Sequence, residues 1–451
     1  MNRLITLSDA VATHARLQPN KLAVRDSRRS LTFAQWHERT ERLATGLRGL
    51  GLEKGDRVAL LAYNCLEWME IYAALARAGL VAVPLNFRLT APEIAYIAEH
   101  SEARAFIVQD ALAAVVEPLR QSLGLEPGAW VGFGSEVPAG WTRYEQLIES
   151  APSHLPAVQV QPADMSALMY TSGTTGRPKG ALHTQAGLLA NARASHWAHG
   201  FVPGDRVLST LPLFHVGGLC IQTLPALLAG VEVVLHPRFD PSAWLAEMHD
   251  SRPTLSLMVP ATLRAVFEHP RWADTSLACL RGVMAGSSTV PLAYLQTLHA
   301  RGVPVGQVYG TTETGPVSIV LRLPDATAHV GASGWPQPEA QVKLIDAQGR
   351  EVAPGETGEV CLRAANLMRG YWQGDGPRTI AAGLGLQDGW FHTGDLGQRA
   401  EDGCITIVGR SKDMVISGGE NIYPAEIENL LVTLPGVAEC AVVGLPDARW
   451  G

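Results

Sequence analysis

Cysteine is sparse in this chain of 451 residues: six residues, at 65, 220, 279, 361, 404 and 440, with no C-x-x-C pair and no metal-finger spacing. That pattern excludes a disulfide framework and reads as reduced thiols in a reducing compartment. Excess positive charge is missing too, since the net charge is −7 and both signs are mixed along the chain. No basic stripe argues for nucleic acid, and a phosphate ligand would have to be held by local groups rather than by an overall field. Long apolar runs are absent. Ser8 and Asp9 interrupt the opening MNRLITLSDAVATHA before it reaches signal-peptide length, and the most apolar stretch, GGLCIQTLPALLAGVEVVL (217–235), carries Pro225, Gly230 and Glu232. The latter reads as a buried helix followed by a strand, not a membrane span. A cytoplasmic setting with no transmembrane segment is the expectation, which leaves peripheral membrane contact and oligomeric state open. There is no G-x-S-x-G elbow for a serine hydrolase. GLGLQDG (383–389) has one residue too many for a dinucleotide fingerprint and reads as a surface loop. His196 and His199 have no nearby third ligand and read as a helix face instead of a zinc site.

What is present is an ordinary globular composition, 47% hydrophobic and 18% charged, on a chain longer than one core supports. Strand and helix patterns alternate in the first part. Thr32-Phe33-Ala34-Gln35 and Thr90-Ala91-Pro92-Glu93 read as capping boxes opening helices, Gly79 stops a third helix, and DRVALLA, LVAVPL and ARAFIVQ read as strands. Repeated strand–helix units predict a parallel sheet covered by helices. Residues 111–165, rich in Pro, Gly and Ala, read as a link between two lobes. From 166 the alternation resumes with SALMYT, a loop, and a helix near 185–199. Further strands are expected at DRVLSTL, VEVVL, TLSLMV, LRGVMAG and PVGQVY. After about 330, QVKLIDAQGREV and GETGEVCLR read as a hairpin turning at DAQGR. Beyond GRSKD, Pro424 and Glu426 open a helix whose apolar face is Ile427, Leu430, Leu431 and Leu434, and ECAVVGLPD reads as a strand.

Four stretches could carry chemistry. YTSGTTGRPKG (170–180) cannot pack a core, and surrounds one lysine with hydroxyls and bare backbone. It suits a loop wrapping a polyphosphate more than a plain linker between two elements. It is not a Walker A loop, because Pro178 falls where the second glycine belongs and Gly180 follows Lys179. QVYGTTETGP (307–316) ends a strand in a turn that projects Thr311, Thr312 and Glu313. Glu313 suits Mg²⁺ and Thr312 a phosphate oxygen, although a helix N-cap with an acid in its first turn explains the same residues. In GWFHTGDLG (389–397), Asp395 could take both hydroxyls of a ribose or be an ordinary turn aspartate. Arg410 could reach a phosphate or a ribose, or be a surface cation.

Taken in order, TSGTTGRPKG, LPLFHVGG, YGTTETG, HTGDLG and GRSKDMVISGGENIYPAEIE resemble the adenylate-forming superfamily over nearly the whole chain. They are most similar to its acyl-CoA synthetases for fatty, aryl and o-succinylbenzoic acids. The resemblance implies an α/β fold with a large N-terminal domain, 1–409, followed by a partial C-terminal α+β lid, 410–451. The large domain would comprise two doubly wound α/β subdomains, 1–165 and 166–329, and a small β-barrel-like subdomain, 330–409. It implies that Thr171, Ser172, Gly173, Thr174, Thr175, Gly176 and Lys179 close over the β- and γ-phosphates of ATP. Adenine would lie between Gly286-Ser287-Ser288 and Gln307-Val308-Tyr309, with Gly310 and Thr311 continuing that wall. Thr312 would meet the α-phosphate, Glu313 would ligate Mg²⁺, and Asp395 assisted by Arg410 would hold the ribose. Lys412 would be the lid hinge, and Gly418 and Gly419 would let the pantetheine of coenzyme A pass. The implied reaction makes acyl-AMP from a small-molecule carboxylic acid and ATP, then a thioester with coenzyme A. Amino-acid-activating relatives place an aspartate just after the phenylalanine of the second motif. Here His215 stands there, and burying an ammonium without a counter-charge is costly, so the expected acid lacks an α-amino group and His215 lines the acyl or pantetheine channel. A P-x-x-x-x-G-K-like segment that normally ends the lid is absent, so the sequence reads as ending inside the lid. The alternative is a catalytically impaired protein that binds nucleotide and acyl-adenylate.

Overall fold

The computed structural model describes residues 6–151, 158–171, 177–373, 380–381, 386–417, 420–431, 434, 436–437 and 440–445. The chain forms two compact units that interleave in sequence. One comprises Met1–His196, Phe201–Phe239 and Ala365–Leu384; the other comprises Trp197–Gly200, Asp240–Ala364 and Gly385–Gly451.

The first unit holds a nine-stranded sheet in the order Ile380–Ala381, Gly370–Trp372, Lys179–Thr184, Met165–Thr171, Val81–Pro84, Arg57–Leu61, Ala103–Gln109, Trp130–Phe133 and Thr142–Arg143. From Met165–Thr171 onward the pairings are parallel. The runs that read as buried strands are buried on both faces, with Val58, Ala59, Leu60, Val81, Ala82 and Val83 at 0% exposure. Such two-sided burial is what helices on each face of a parallel sheet produce. The expected caps form: Thr32 and Gln35 close a capping box on helix Phe33–Gly49, Thr90 and Glu93 do so on Ala91–His100, and Gly79, at φ 70°, ends Leu66–Ala78. A second group of strands in this unit, Ser30–Thr32, Leu22–Arg25, Glu232–Leu235 and Arg206–Ser209, is parallel apart from its terminal hairpin.

Two expectations change here. Residues 111–165 are no link: Trp130–Phe133 and Thr142–Arg143 extend the sheet from Ala103–Gln109. The cause is aromatic burial, since Trp130 stacks on Phe106 at 4.7 Å between ring centres and Trp141 packs against Trp130 at 5.4 Å. Truncating such a buried indole costs about 3–5 kcal/mol. The loop after Met165–Thr171 does not lead into a helix either. The strand Lys179–Thr184 intervenes, antiparallel to Met165–Thr171, before helix Gln185–His199 begins. The phosphate-type loop is therefore the connection of a hairpin.

In the second unit, Leu255–Met258, Gly282–Gly286 and Val305–Tyr309 are parallel, and Ile319–Leu321 and Trp335–Pro336 continue the sheet antiparallel. Ala340–Ile345, Thr357–Ala364 and Trp390–Arg399 form an antiparallel sheet, with Leu386–Gln387 and Ile405–Arg410 both paired to Trp390–Arg399. The expected DAQGR turn is present. Gly349 has φ 80°, and Asp346 Oδ1 accepts from the backbone N–H groups of Gln348 and Arg350, both at 2.9 Å. Val415–Ser417 pairs with Glu420–Ile422, and helix Pro424–Leu431 follows. Its expected apolar face is open, with Ile427 38% and Leu430 67% exposed. Residues 440–445 form no strand, against the reading of ECAVVGLPD. A lone extended segment leaves its N–H and C=O groups without a ladder, and alternation of apolar residues cannot supply one. No described helix is long and apolar enough to cross a membrane.

Candidate active site

A cavity of about 720 Å³ opens in the second unit, lined by the carboxyl ends of two parallel strands and by the chain from Ile407 to Asp413. Strand ends of open α/β sheets are where ligands bind, and the volume is in the range of small-molecule sites. Gly286, Ser287 and Ser288 form one wall and Gln307, Val308, Tyr309, Gly310 and Thr311 another, with Asp395, Arg410 and Lys412 also on the surface.

Backbone demands explain much of this lining. Ser287 has φ 71°, a left-handed conformation costing about 1–3 kcal/mol in a non-glycine residue and met most often at functional turns. Gly286 lets the chain pass the carbonyl of Val308, which a Cβ would meet at 2.5 Å. Gly310 does the same toward Pro316, whose carbonyl a Cβ would meet at 2.2 Å.

Asp395 is the electrostatic centre. Its side chain is 6% exposed and lies on strand Trp390–Arg399 directly across from Arg410. Tyr309 Oη donates to Asp395 Oδ2 at 2.7 Å, and Arg410 Nε lies 3.0 Å from Oδ1. Each carboxylate oxygen keeps a second lone pair for another donor. Burial pushes the Asp395 carboxyl above its ordinary pKa, and Tyr309 and Arg410 only partly oppose this. The Glu313 carboxylate adds to the rise, so two acids feel each other here. Burial beside Asp395 likewise pushes the Tyr309 phenol well up, keeping it a neutral donor. The turn is fixed from behind: Asp395 N–H donates to Thr393 Oγ1 at 3.0 Å, and Gly394 N–H donates to Glu359 Oε1 at 3.1 Å.

The hydroxyl of Thr311 is buried at the cavity wall and has no hydrogen-bond partner among the described residues. An unpaired buried hydroxyl costs free energy, so the site has unspent capacity for a ligand's polar group. Thr312 is 7% exposed and Glu313 half-buried, and neither lines the cavity. Glu313 and the threonine hydroxyls offer the hard oxygen donors that Mg²⁺ takes, and a cation near Glu313 would relieve its repulsion with Asp395.

Thr171, Lys179 and His215 belong to the first unit. Thr171 ends its strand and Lys179 begins the next, paired in register across the hairpin. Lys179 Nζ lies over the ring of Tyr371, 5.5 Å from its centre. His215 is exposed, and the protein atoms around it desolvate the ring and hold its pKa below the ordinary value. Its Nδ1 accepts from Gly217 N–H at 3.0 Å, so the neutral ring carries its proton on Nε2. A π-helical segment, Gly217–Thr223, follows, a rare geometry frequent at functional sites. Gly218 is indispensable to it, because a Cβ there would meet the carbonyl of Pro212 at 2.2 Å. Ser172, Gly173, Thr174, Thr175, Gly176, Gly418 and Gly419 lie outside the described residues.

Sequence reasoning missed Ser333, Ile407 and Val443 on the cavity surface. Ile407 could not be found from alternation, because a register shift at Leu396/Gly397 interrupts the pairing between it and Gly409. Ser333 sits in a loop with no motif of its own.

A family profile described as AMP-binding enzyme matches residues 11–372, and one described as AMP-binding enzyme C-terminal domain matches 426–451. The chain is 42% identical to an indoleacetate–CoA ligase of Aromatoleum aromaticum, over 99% of this chain and 86% of the relative. It is 40% identical to a feruloyl-CoA synthase of an Amycolatopsis species, over 97% of this chain and 85% of that one. Among solved structures, an anthranilate CoA ligase in complex with anthranoyl-AMP superposes with a TM-score of 0.91 at 29% identity, covering 98% of this chain and 85% of that one.

Proposed function

Because the chain belongs to the AMP-binding enzyme family, whose named relatives here are AMP-forming acid–thiol ligases, we propose that it activates an aryl or arylalkyl carboxylic acid lacking an α-amino group and transfers the acyl group to coenzyme A. The observation that carries the reading is the cavity beside Asp395, where Tyr309 and Arg410 orient a buried carboxylate and Thr311 holds an unpaired hydroxyl. The narrowing to aryl acids rests on the indoleacetate, feruloyl and anthranilate relatives.

In this reading Asp395 accepts both ribose hydroxyls on its free lone pairs, and Ser287, Ser288 and Gln307 to Tyr309 flank the base. A carboxylate oxygen of the acid attacks the α-phosphorus, the bond to the bridging oxygen breaks, and pyrophosphate leaves. Lys179, with the hydroxyls from Thr171 to Thr175, holds the β- and γ-phosphates and spreads the charge on the departing group. Thr312 takes an α-phosphate oxygen. Mg²⁺, held by Glu313, would supply charge neutralisation across the phosphates. In the second step the sulfur of coenzyme A attacks the acyl carbon, a proton is lost from the thiol, and AMP leaves. His215 lines the acyl or pantetheine path, and Gly418 and Gly419 leave room for pantetheine. The division at 409/410 and the hinge at Lys412 are part of the same proposal.

The test is coenzyme A- and ATP-dependent AMP release over a panel holding indoleacetate, ferulate, anthranilate, straight-chain fatty acids and amino acids. AMP release fastest with the aryl acids supports the reading. Preference for amino acids overturns it, preference for fatty acids overturns the aryl assignment, and nucleotide binding without turnover supports the impaired-binder alternative.

A further inference from the structure

Glu359, Cys361 and His392 stand together on the antiparallel sheet of the second unit, and the proposed reaction uses none of them. Glu359 and Cys361 are two residues apart on strand Thr357–Ala364, so they share a face, and His392 is the cross-strand partner of Cys361 on Trp390–Arg399. One ligand atom from each lies within 4.8 Å of the other two. His392 Nδ1 is 3.3 Å from Glu359 Oε2 and 3.6 Å from Cys361 Sγ.

We propose that Glu359, Cys361 and His392 form a three-ligand site for a divalent transition metal of zinc-like character. The distances carry it. Zinc–nitrogen and zinc–oxygen bonds near 2.0–2.1 Å and a zinc–sulfur bond near 2.3 Å give tetrahedral edges of about 3.4 Å between N and O and about 3.6 Å between N and S. The two separations from His392 match those edges, and the third, between Glu359 and Cys361, lies within 4.8 Å and closes onto a metal by a shift of the glutamate side chain. One sulfur, one imidazole nitrogen and one carboxylate oxygen favour zinc or cobalt over the all-oxygen preference of Mg²⁺ and Ca²⁺. Glu359 and His392 are partly exposed, which gives an entry path and leaves a fourth position for water. Glu359 is oriented from behind, since its other oxygen, Oε1, accepts Gly394 N–H at 3.1 Å. On binding, the Cys361 S–H bond breaks, its proton goes to solvent, and a sulfur–metal bond forms.

Two measurements on the full chain test this. X-ray absorption of the protein loaded with one equivalent of Zn²⁺ should find one sulfur near 2.3 Å together with nitrogen or oxygen ligands near 2.0 Å. A shell of nitrogen and oxygen alone overturns the proposal. Titration with Co²⁺ should give a thiolate-to-metal charge-transfer band saturating at one metal per chain. That band should disappear in Cys361→Ser, and the affinity should fall about tenfold or more in His392→Ala. A band of equal intensity in Cys361→Ser places the metal on another cysteine and also overturns it. The absorption measurement needs no variant, so a shell without sulfur overturns the proposal even where a substitution unfolds the chain.

Discussion

Asp395 concentrates the functional electrostatics into one side chain. Its pKa is raised, chiefly by burial, so on acidification it takes up a proton above the usual aspartate value of about 3.9. A protonated carboxyl accepts ribose hydroxyls poorly, so nucleotide affinity should weaken as pH falls through that raised value. For stability the sign is opposite. The folded state binds this proton more tightly than the unfolded chain, so the associated stabilisation is present below about 3.9 and lost as pH rises through the folded value. Calorimetric titration of AMP across this acid range should show the affinity loss in the native chain, and Asp395→Asn should abolish the pH step. A step that persists in the variant would assign the titration to another group. Tyr309→Phe removes one hydrogen bond to the carboxylate, at 2.7 Å, and should weaken AMP binding by about 1.5–3 kcal/mol, the range for a bond to a charged group. Unchanged affinity would mean that Tyr309 does not position Asp395 for the ligand.

At the scale of elements, helix Leu66–Ala78 is buried nearly throughout and still carries charge. Glu70, at 0% exposure, accepts from Tyr144 Oη at 2.8 Å and Arg29 at 3.3 Å, and is paired with Arg39. Glu70→Ala would take the acceptor from the buried Tyr144 hydroxyl, while Arg39 keeps Glu145 at 2.7 Å and Arg29 keeps Glu67 at 3.3 Å. Leaving a buried hydroxyl without its partner costs about 1–3 kcal/mol, so the urea midpoint should drop with the slope unchanged. A shift under about 1 kcal/mol would mean the hydroxyl behaves as an exposed one. This network was invisible in the sequence, because its members are separated by dozens of residues and nothing local marks a glutamate as buried. Elements set by local chemistry were legible: the boxes at Thr32 and Thr90, the stop at Gly79, the turn at Asp346–Arg350. Lys179–Thr184 was missed because a six-residue strand after a glycine-rich loop carries too little alternation to separate it from the next helix. The cavity lining was legible in part, through Thr311, Asp395, Arg410 and Lys412, whereas Thr312 and Glu313 do not line it. The Tyr309–Asp395 bond joins residues far apart in sequence, and only folding brings them together.

For the whole molecule, the proposal places a hinge at Lys412, so that the chain beyond residue 409 would present different groups in each step. The pairing of Ile405–Arg410 with Trp390–Arg399 ends at Arg410 opposite Asp395, and Ser411 N–H still donates to Gly394 at 2.9 Å. Asp413 and Met414 then donate their own N–H groups back to Arg410, both at 3.1 Å. These neighbouring bonds do not use the Lys412 N–H, but Lys412→Pro fixes φ at 412 and pushes Ser411 away from the helical region, so it restricts the turn that closes on Arg410. A rigid hinge should spare the step performed in the conformation it locks and slow the other. We expect pyrophosphate release from acid and ATP to stay within about twofold while thioester formation from supplied acyl-adenylate falls about tenfold or more, as for a hinge that gates turnover. Equal loss in both half-reactions would place the effect in nucleotide binding, through Arg410, and would remove Lys412 from the role of hinge.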